Sequence, residues 1–204
     1  MNRSDIVKLL NFTKSTEHPL HAHFQLAYFT GARSGELKEL RVKDYNRELK
    51  HIVISRSLCS KTKTIGSTKN GKSRIVPLPN QAIELIESLV LNKDRDDLIL
   101  PFNKQFVRGE AAKELKTIQN QLQIPNTNFH SLRGSFITHL LLKKVDIGTV
   151  QELVGHCDLK TTQAYIRLCG ADLVGSTNCL GYGDVESSEA EVHKSKVLKA
   201  IGLL

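Results

Sequence analysis

The chain has 204 residues, enough for one domain with its own hydrophobic core and a short tail. Hydrophobic residues make up 40% and charged residues 25%, an ordinary composition for a globular protein, and no apolar run is long enough to span a bilayer. The N-terminus is not a signal peptide either, so we expect a cytoplasmic protein with no membrane partner. The formal net charge is +8, which suits a polyanionic partner.

The N-terminal part of the sequence predicts helices on either side of a functional turn. Residues 3–10 have the apolar spacing of a short helix, and residues 20–30 that of a buried one. Gly31 ends the second helix, and Ser34 can cap a third that continues through Leu40. Arg33 is therefore expected at a turn, a good place to present a functional side chain.

Two short β-rich segments follow, at residues 51–56 and 74–78. The sequence between them is rich in Lys, Gly and Ser and contains Asn70-Gly71, a strong turn signal. From Arg33 to Arg74 there are twelve Lys and Arg residues but four Asp and Glu, so this region alone accounts for the whole net charge. We predict a small antiparallel sheet with a basic hairpin, suited to a polyanion such as nucleic acid, although a solvated lysine-rich surface has the same composition.

The remainder of the core sequence has mostly helical periodicity. The predicted helices cover residues 81–91, 106–122, 132–141, 147–154 and 159–168. The fold class is therefore α+β and mostly α-helical.

The last thirty residues differ in composition from the rest. Residues 175–188 are polar and Gly-bearing, which is typical of a linker, and Ala190–Leu204 can form an amphipathic helix. We predict one domain over residues 1–174 and a linker with a C-terminal helix over residues 175–204.

Four cysteines give no sign of a structural metal or of a disulfide framework. Cys59, Cys157, Cys169 and Cys179 include no C-x-x-C pair. No acidic cluster with metal-ligand spacing lies near the histidines either, which argues against a metal nuclease. No metal or cofactor is predicted.

Three short motifs carry residues that can act on a phosphodiester. His130 and Arg133 are three residues apart and share a helical face, His156 follows a glycine at a predicted helix end, and Tyr165 lies nine residues further on. Arginine binds phosphate oxygens, histidine moves protons near neutral pH, and tyrosine can act as a covalent nucleophile. Taken singly, each has an ordinary explanation as a surface, capping or core residue.

The order of these motifs resembles one family. Gly-Ala-Arg-Ser-Gly-Glu at 31–36, a basic hairpin, His-x-x-Arg at 130–133, Gly-His at 155–156 and then Tyr165 are similar to the catalytic domain of the tyrosine recombinase (phage integrase) family, over about residues 5–168. The resemblance implies a helical domain whose small antiparallel three-stranded sheet carries the basic hairpin. It also implies a site-specific recombinase or integrase of bacterial or phage origin, typical of mobile genetic elements, that cleaves and rejoins DNA through a 3′-phosphotyrosyl intermediate without a metal.

The resemblance also implies a role for each motif residue. Arg33 and Arg133 match the two catalytic arginines, His130 the general acid/base, His156 the donor to the scissile phosphate, and Tyr165 the nucleophile.

A sixth residue would protonate the leaving 5′-oxygen. Lys69 matches the hairpin lysine of the family, in a Thr-Lys-Asn-Gly-Lys-Ser-Arg-Ile-Val-Pro pattern. Lys72 and Lys63 remain alternatives, because hairpin length varies in the family.

Two departures from the family pattern are visible. Gly134 follows Arg133 where many members have a histidine, a change expected to affect packing more than chemistry. Little sequence precedes Asp5, so the usual N-terminal core-binding domain is absent from this sequence. The chain is either an excised catalytic domain or a short member such as the fimbrial invertases.

Double-stranded DNA is the expected partner, with a homotetramer on paired DNA sites and a monomer or dimer without DNA. The tail would dock on a neighbouring subunit or fold back on its own domain. Alternative functions are a type IB topoisomerase or hairpin-forming resolvase with the same chemistry, and a DNA-binding relative without catalysis.

Overall fold

The computed structural model describes residues 1–59, 62–68, 71–101, 106 and 110–168, without the side chains of 166–168. The hairpin residue Lys69 and the predicted tail at 175–204 lie outside the described residues.

Helices dominate the described residues, and the strands lie together in the first half of the chain. The helices are α1 Arg3–Ser15, α2 His21–Thr30, α3 Ser34–Leu37, α4 Asn80–Val90, α5 Ala111–Gln121, α6 His130–Leu142, α7 Ile147–Val154 and α8 Leu159–Leu168. The strands are β1 Tyr45–Asn46, β2 His51–Ile54, β3 Arg56–Leu58, β4 Ile65–Ser67 and β5 Arg74–Pro77. The prediction of a mostly helical fold with a small antiparallel sheet is confirmed, and α7 and α8 have the predicted bounds. None of the described helices is long and apolar enough to cross a membrane.

The sheet has β2 in its centre. β1 and β5 pair with it in antiparallel register, with Ile52 opposite Val76 and Ile54 opposite Arg74. Alternate residues of β5 are buried, so Arg74 lies on the same inward face as Val76. The predicted strand at 51–56 is wrong in one respect: it divides at Ser55, and β3 pairs with β4 in a separate two-stranded ribbon.

Several helix boundaries also differ from the prediction, which gave 20–30, 81–91, 106–122 and 132–141 for the helices observed as α2, α4, α5 and α6. Helices α1 and α3 are two further cases. α1 continues to Ser15 rather than to residue 10, because the buried Thr13 hydroxyl donates to the Leu9 carbonyl at 2.9 Å and contacts the His21 ring at 2.9 Å. α3 ends at Leu37 rather than Leu40, and its N-cap is Arg33 rather than Ser34. Apolar periodicity, on which the prediction of α1 was based, does not report such polar side-chain contacts.

The core brings the C-terminal helices onto α2. Phe24, Leu26 and Leu132 are fully buried in the main hydrophobic cluster, where each such side chain contributes about 1.5–3 kcal/mol on burial. A smaller cluster of Ile137, Val150 and Val154 holds α6 and α7 together, and Tyr165 packs against it. The N-terminal end of α6, the C-terminal end of α7 and the turn after α2 thereby meet.

Candidate active site

The Arg33 turn depends on a glycine. Gly31 ends α2 with φ +60°, and a Cβ there would lie 2.5 Å from the ring of Phe136. The Arg33 backbone N–H then donates to Oε2 of Glu36 at 2.8 Å, and its Nη1 donates to Oε1 at 2.8 Å. One quarter of the Arg33 side chain (26%) remains exposed, so its guanidinium can still meet a ligand.

Arg133 is held from inside the fold. It is 1% exposed, and its Nη1 and Nη2 donate to the carbonyls of Gly31 and Val154 at 2.6 and 2.7 Å. Burial, together with the charges of Arg33 and Arg74, lowers the pKa of Arg133 to about 9, which leaves it a cation at pH 7. One guanidinium therefore links the turn after α2 to the end of α7.

His156 lies at the end of α7, beside the tyrosine. Gly155 ends that helix with φ +65°, and the Nδ1 of His156 lies 3.0 Å from the Thr162 hydroxyl on α8. Its ring stacks on that of Tyr165, with centroids 6.5 Å apart and planes 20° from parallel. Burial and then the charges of Arg133 and nearby cations lower the pKa of His156 to about 4, so it is neutral at pH 7.

His130 begins α6, and part of its ring lies against the protein. Burial of the ring and the positive charges of Arg133 and Arg33 lower its pKa, while the Glu36 carboxylate acts in the opposite direction. A neutral imidazole can accept a proton, as a general base requires.

Tyr165 lies on α8, facing α6. A Cβ at Gly134 would be 3.4 Å from Cε1 of Tyr165 and 3.9 Å from its hydroxyl oxygen. The absence of a side chain at Gly134 therefore leaves the ring room next to the helix that carries His130 and Arg133.

Two further charged residues, Arg74 and Glu36, lie at the site, and the sequence analysis gave neither of them a role. Arg74 donates from Nη1 and Nη2 to Oε1 and Oε2 of Glu36 at 3.0 and 2.6 Å. Burial alone would raise the pKa of Glu36, but hydrogen bonds and charges from Arg74 and Arg33 outweigh it and hold that pKa below its usual range. A signal existed in the sequence, because Arg74 alternates with Val76 and so takes an inward position on its strand.

Of the residues described above, Arg33, Arg74 and His156 line a cleft of about 810 Å³ between the hairpin and α7. Its walls include Arg33, Thr68, Lys72, Arg74, His156 and Cys157. The cations Arg33, Lys72, Arg74 and the neighbouring Arg133 outnumber the carboxylates of Glu152, in the cleft wall, and of the buried Glu36. The resulting excess of positive charge favours a phosphate group. Within the described ranges, no three His, Cys, Asp or Glu side chains lie close enough together to hold a metal ion.

The structure thus brings Arg33, His130, Arg133, His156 and Tyr165 into one neighbourhood. Lys69, the sixth predicted residue, lies outside the described residues, while Lys72 lines the cleft.

The family model described as "Phage integrase family" matches residues 1–170. The chain belongs to the phage integrase family. Among curated relatives, it is 35% identical over 185 residues to tyrosine recombinase XerD of Listeria innocua, covering 82% of this chain and 57% of that protein. It is 30% identical over 174 residues to tyrosine recombinase XerA of Thermococcus onnurineus, again covering 82% and 57%. The chain therefore spans little more than half the length of these relatives.

Solved structures share the fold. A Tn1549 transposon integrase in complex with a circular intermediate DNA superposes with a TM-score of 0.71 at 18% identity, covering 95% of this chain and 65% of that one. The catalytic domain of bacteriophage HP1 integrase superposes with a TM-score of 0.61 at 20% identity, covering 92% and 96%. The chain thus has the fold of a catalytic domain of this family.

Proposed function

We propose that this chain is the catalytic domain of a site-specific DNA recombinase or integrase, which cleaves and rejoins DNA without a metal. The observation that carries the proposal is the meeting of Arg33, Arg133, two neutral histidines and Tyr165 beside one positively charged cleft. The similarity to recombinases such as XerD supports recombination rather than the relaxation of DNA by a topoisomerase. We propose that it acts in the cytoplasm of a bacterium or of a phage-infected cell, where its DNA substrate would be found.

In the proposed reaction, the Tyr165 hydroxyl oxygen attacks the scissile phosphorus while His130 accepts the hydroxyl proton. A bond forms between the tyrosine oxygen and phosphorus, and the bond from phosphorus to the 5′-oxygen breaks. Lys69 gives a proton to that leaving oxygen. The product is a 3′-phosphotyrosyl ester, and attack by a 5′-hydroxyl from another strand reverses the steps and reseals the DNA.

The arginines stabilise the charge that builds on the non-bridging oxygens. Arg33 and Arg133 are fixed before DNA arrives, by Glu36 and by backbone carbonyls respectively, so little reorganisation is needed in the transition state. His156 adds a ring nitrogen as a further donor to the phosphate.

A nicked suicide substrate tests the proposal, because loss of the short strand traps the covalent protein–DNA ester. Wild-type protein should give an adduct that survives denaturation and is unaffected by EDTA, and Tyr165→Phe should give none. An adduct formed by Tyr165→Phe would contradict the assignment of the nucleophile. Relaxation of supercoiled DNA without a specific site would favour a topoisomerase.

The leaving-group acid has its own test. A substrate with a 5′-bridging phosphorothiolate releases a thiolate, which needs little protonation. Lys69→Ala should be slow on ordinary DNA and recover on this substrate, whereas Lys72→Ala should show no such recovery. Recovery of Lys72→Ala instead would move the role to Lys72, and recovery of Lys63→Ala would move it to Lys63.

The oligomeric state belongs to the proposal as well. We propose a homotetramer on paired DNA sites, in which the tail at 175–204 docks on a neighbouring subunit as part of a closed ring. Truncation after Gly175 should leave adduct formation intact but weaken cooperative assembly in a native gel. Unchanged assembly of the truncated protein would instead support a tail that folds back on its own domain.

A further inference from the structure

Two of the segments that carry motif residues, the turn at 31–36 and the end of α7, are joined by Arg74, a residue without an assigned role. Arg74 lies on β5 and is buried, with 7% of its side chain exposed, while its partner Glu36 is fully buried. Its Nη1 and Nη2 donate to the two oxygens of Glu36, and its Nε donates to the Leu153 carbonyl at 2.9 Å.

Each end of this contact leads directly to a motif residue. The two Glu36 oxygens that accept from Arg74 also accept from the backbone and side chain of Arg33. The Leu153 carbonyl belongs to the last turn of α7, which leads through Gly155 to His156. Arg74 therefore joins the turn that carries Arg33 to the turn that carries His156.

The fit of Arg74 against the α7 end is close. A Cβ at Gly155 would lie 3.2 Å from Cδ of Arg74, so a side chain at 155 would press on the arginine stem. Gly155 is thus required both by its left-handed backbone, with φ +65°, and by the approach of Arg74.

A lysine cannot replace this arrangement. The guanidinium forms a planar fork that matches a carboxylate with two parallel hydrogen bonds and still has Nε–H for a third acceptor. A lysine ammonium at 74 keeps the charge but has a single nitrogen, so it cannot bridge both Glu36 oxygens in that geometry and hold Leu153 as well.

We propose that Arg74 is a positioning residue of the recombinase, which sets Arg33 and His156 in register through Glu36 and the Leu153 carbonyl. This inference rests on the proposed function, since it concerns the rate of the same cleavage step. It assigns to the strand after the basic hairpin a part in the geometry of the phosphate site.

The experiment measures single-turnover adduct formation on the nicked suicide substrate at saturating DNA, with the DNA half-saturation concentration and circular dichroism measured for each variant. Arg74→Lys should form adduct at least about tenfold more slowly, because misplacement of catalytic groups by a fraction of an ångström costs this much or more. Its half-saturation concentration should stay within about twofold of wild type, because many lysines and arginines share DNA contacts.

A matched control is Arg56→Lys. Arg56 also binds a carboxylate with both oxygens within hydrogen-bond distance, those of Asp44 at 2.9 and 2.6 Å, but it is not among the residues that line the cleft. Its adduct rate at saturating DNA should stay within about twofold of wild type, which separates positioning from the general loss of an arginine–carboxylate pair.

A double-variant comparison identifies the route. If Arg74 acts through Glu36, Arg74→Met combined with Glu36→Gln should be slower than Glu36→Gln alone by much less than the factor that Arg74→Met causes in the wild-type background. Multiplication of the two single effects would overturn the proposal, as would an Arg74→Lys rate within twofold of wild type.

Two other outcomes also overturn it. Loss of DNA affinity in proportion to rate would make Arg74 a DNA contact, and loss of the folded spectrum in Arg74→Lys would make it a residue of the fold alone. The proposed function fails separately, through a wild-type protein without adduct or a Tyr165→Phe variant with one.

Discussion

The deep and the shallow halves of the proposed phosphate site are built differently. In the deep half, Arg133 and Arg74 are buried and bind backbone carbonyls and the Glu36 carboxylate. In the shallow half, His156 and Tyr165 are only half-buried. Their rings stack on each other, and the His156 ring also contacts the Thr162 hydroxyl. Fixed positive charge is thus part of the fold, whereas the groups that would exchange protons and form the ester are held by fewer contacts and can adjust to DNA.

The largest effect on adduct formation should come from Arg33 and Arg133, the two arginines proposed as catalytic, and only Arg133 should also affect stability strongly. Arg33→Ala and Arg133→Ala should each slow adduct formation at saturating DNA about 100- to 1000-fold, the typical cost of a lost transition-state donor. Arg133→Ala should also lower the free energy of unfolding by about 3 kcal/mol, because the Gly31 and Val154 carbonyls lose a buried donor.

Urea denaturation followed by circular dichroism checks this difference. Arg95→Ala is the control, because Arg95 is exposed and lies outside the site. Equal stability of Arg33→Ala and Arg133→Ala would break the distinction between a surface ligand and a structural one.

The next largest effect should be a loss of stability on substitution of Gly31, whose carbonyl binds Arg133 in the deep half. Gly31→Ala should cost about 2 kcal/mol or more of unfolding free energy, part from the left-handed backbone and part from the clash with Phe136. Gly71→Ala is a matched control, since Gly71 has φ +69° but a Cβ there would meet nothing within 4 Å, so only the backbone cost of about 1 kcal/mol applies. Equal losses for both would show that the Phe136 contact relaxes without cost.

The shallow half can be examined by titration. In the protein without DNA, the pKa of His156 is lowered from the ordinary value of 6.5 to about 4. Its ring signals in NMR should therefore titrate near pH 4. A bound phosphate adds negative charge, so DNA bound to Tyr165→Phe protein should raise this pKa; an unchanged midpoint would mean that His156 does not meet the phosphate. His156→Gln identifies the signals by removing them.

The same shift predicts the direction of acid sensitivity. The pKa of His156 is lower in the folded protein than in the unfolded chain. Between pH 6.5 and 4, His156 therefore binds a proton in the unfolded chain but stays neutral in the folded protein. The contribution to stability is therefore complete above pH 6.5 and decreases as the pH falls toward 4. His156→Gln should show a smaller decrease in urea midpoint over this interval than the wild type.

The smallest effect concerns the space beside Tyr165. Gly134→Ala should raise the free energy of unfolding by about 0.5–1 kcal/mol, because alanine is the better residue inside a helix. Adduct formation should stay within about twofold of the wild-type rate, since the new Cβ would lie 3.4 Å from the Tyr165 ring, an ordinary van der Waals distance. A more stable protein that forms adduct much more slowly would show that the Tyr165 ring must come closer to α6 before it reacts.

Sequence reasoning succeeded where the controlling signals are local. α7 has its predicted bounds because Asp146 caps its first turn and Gly155 ends it in the left-handed conformation. It was less accurate where polar side-chain contacts or strand pairing decide, as in the extension of α1 through Thr13 and the division of the predicted strand at Ser55.

The membership of the site was predicted from the sequence, but the way its residues are held was not. The motif order predicted that Arg33, His130, Arg133, His156 and Tyr165 belong together, and the structure places them in one neighbourhood. Their catalytic roles, and that of Lys69, stay predictions until the adduct assays are done.

By itself, the sequence determined the family, the mostly helical fold and the set of groups that can act on a phosphate, because motif order and residue chemistry are properties of the chain. Only the tertiary structure decided how these groups are held. Arg74 and Glu36 are 38 positions apart, and no periodicity or capping rule relates residues so distant. Their pairing follows from the packing of β5 against the end of α7 and the turn after α2, which buries both charges and leaves each as the partner of the other.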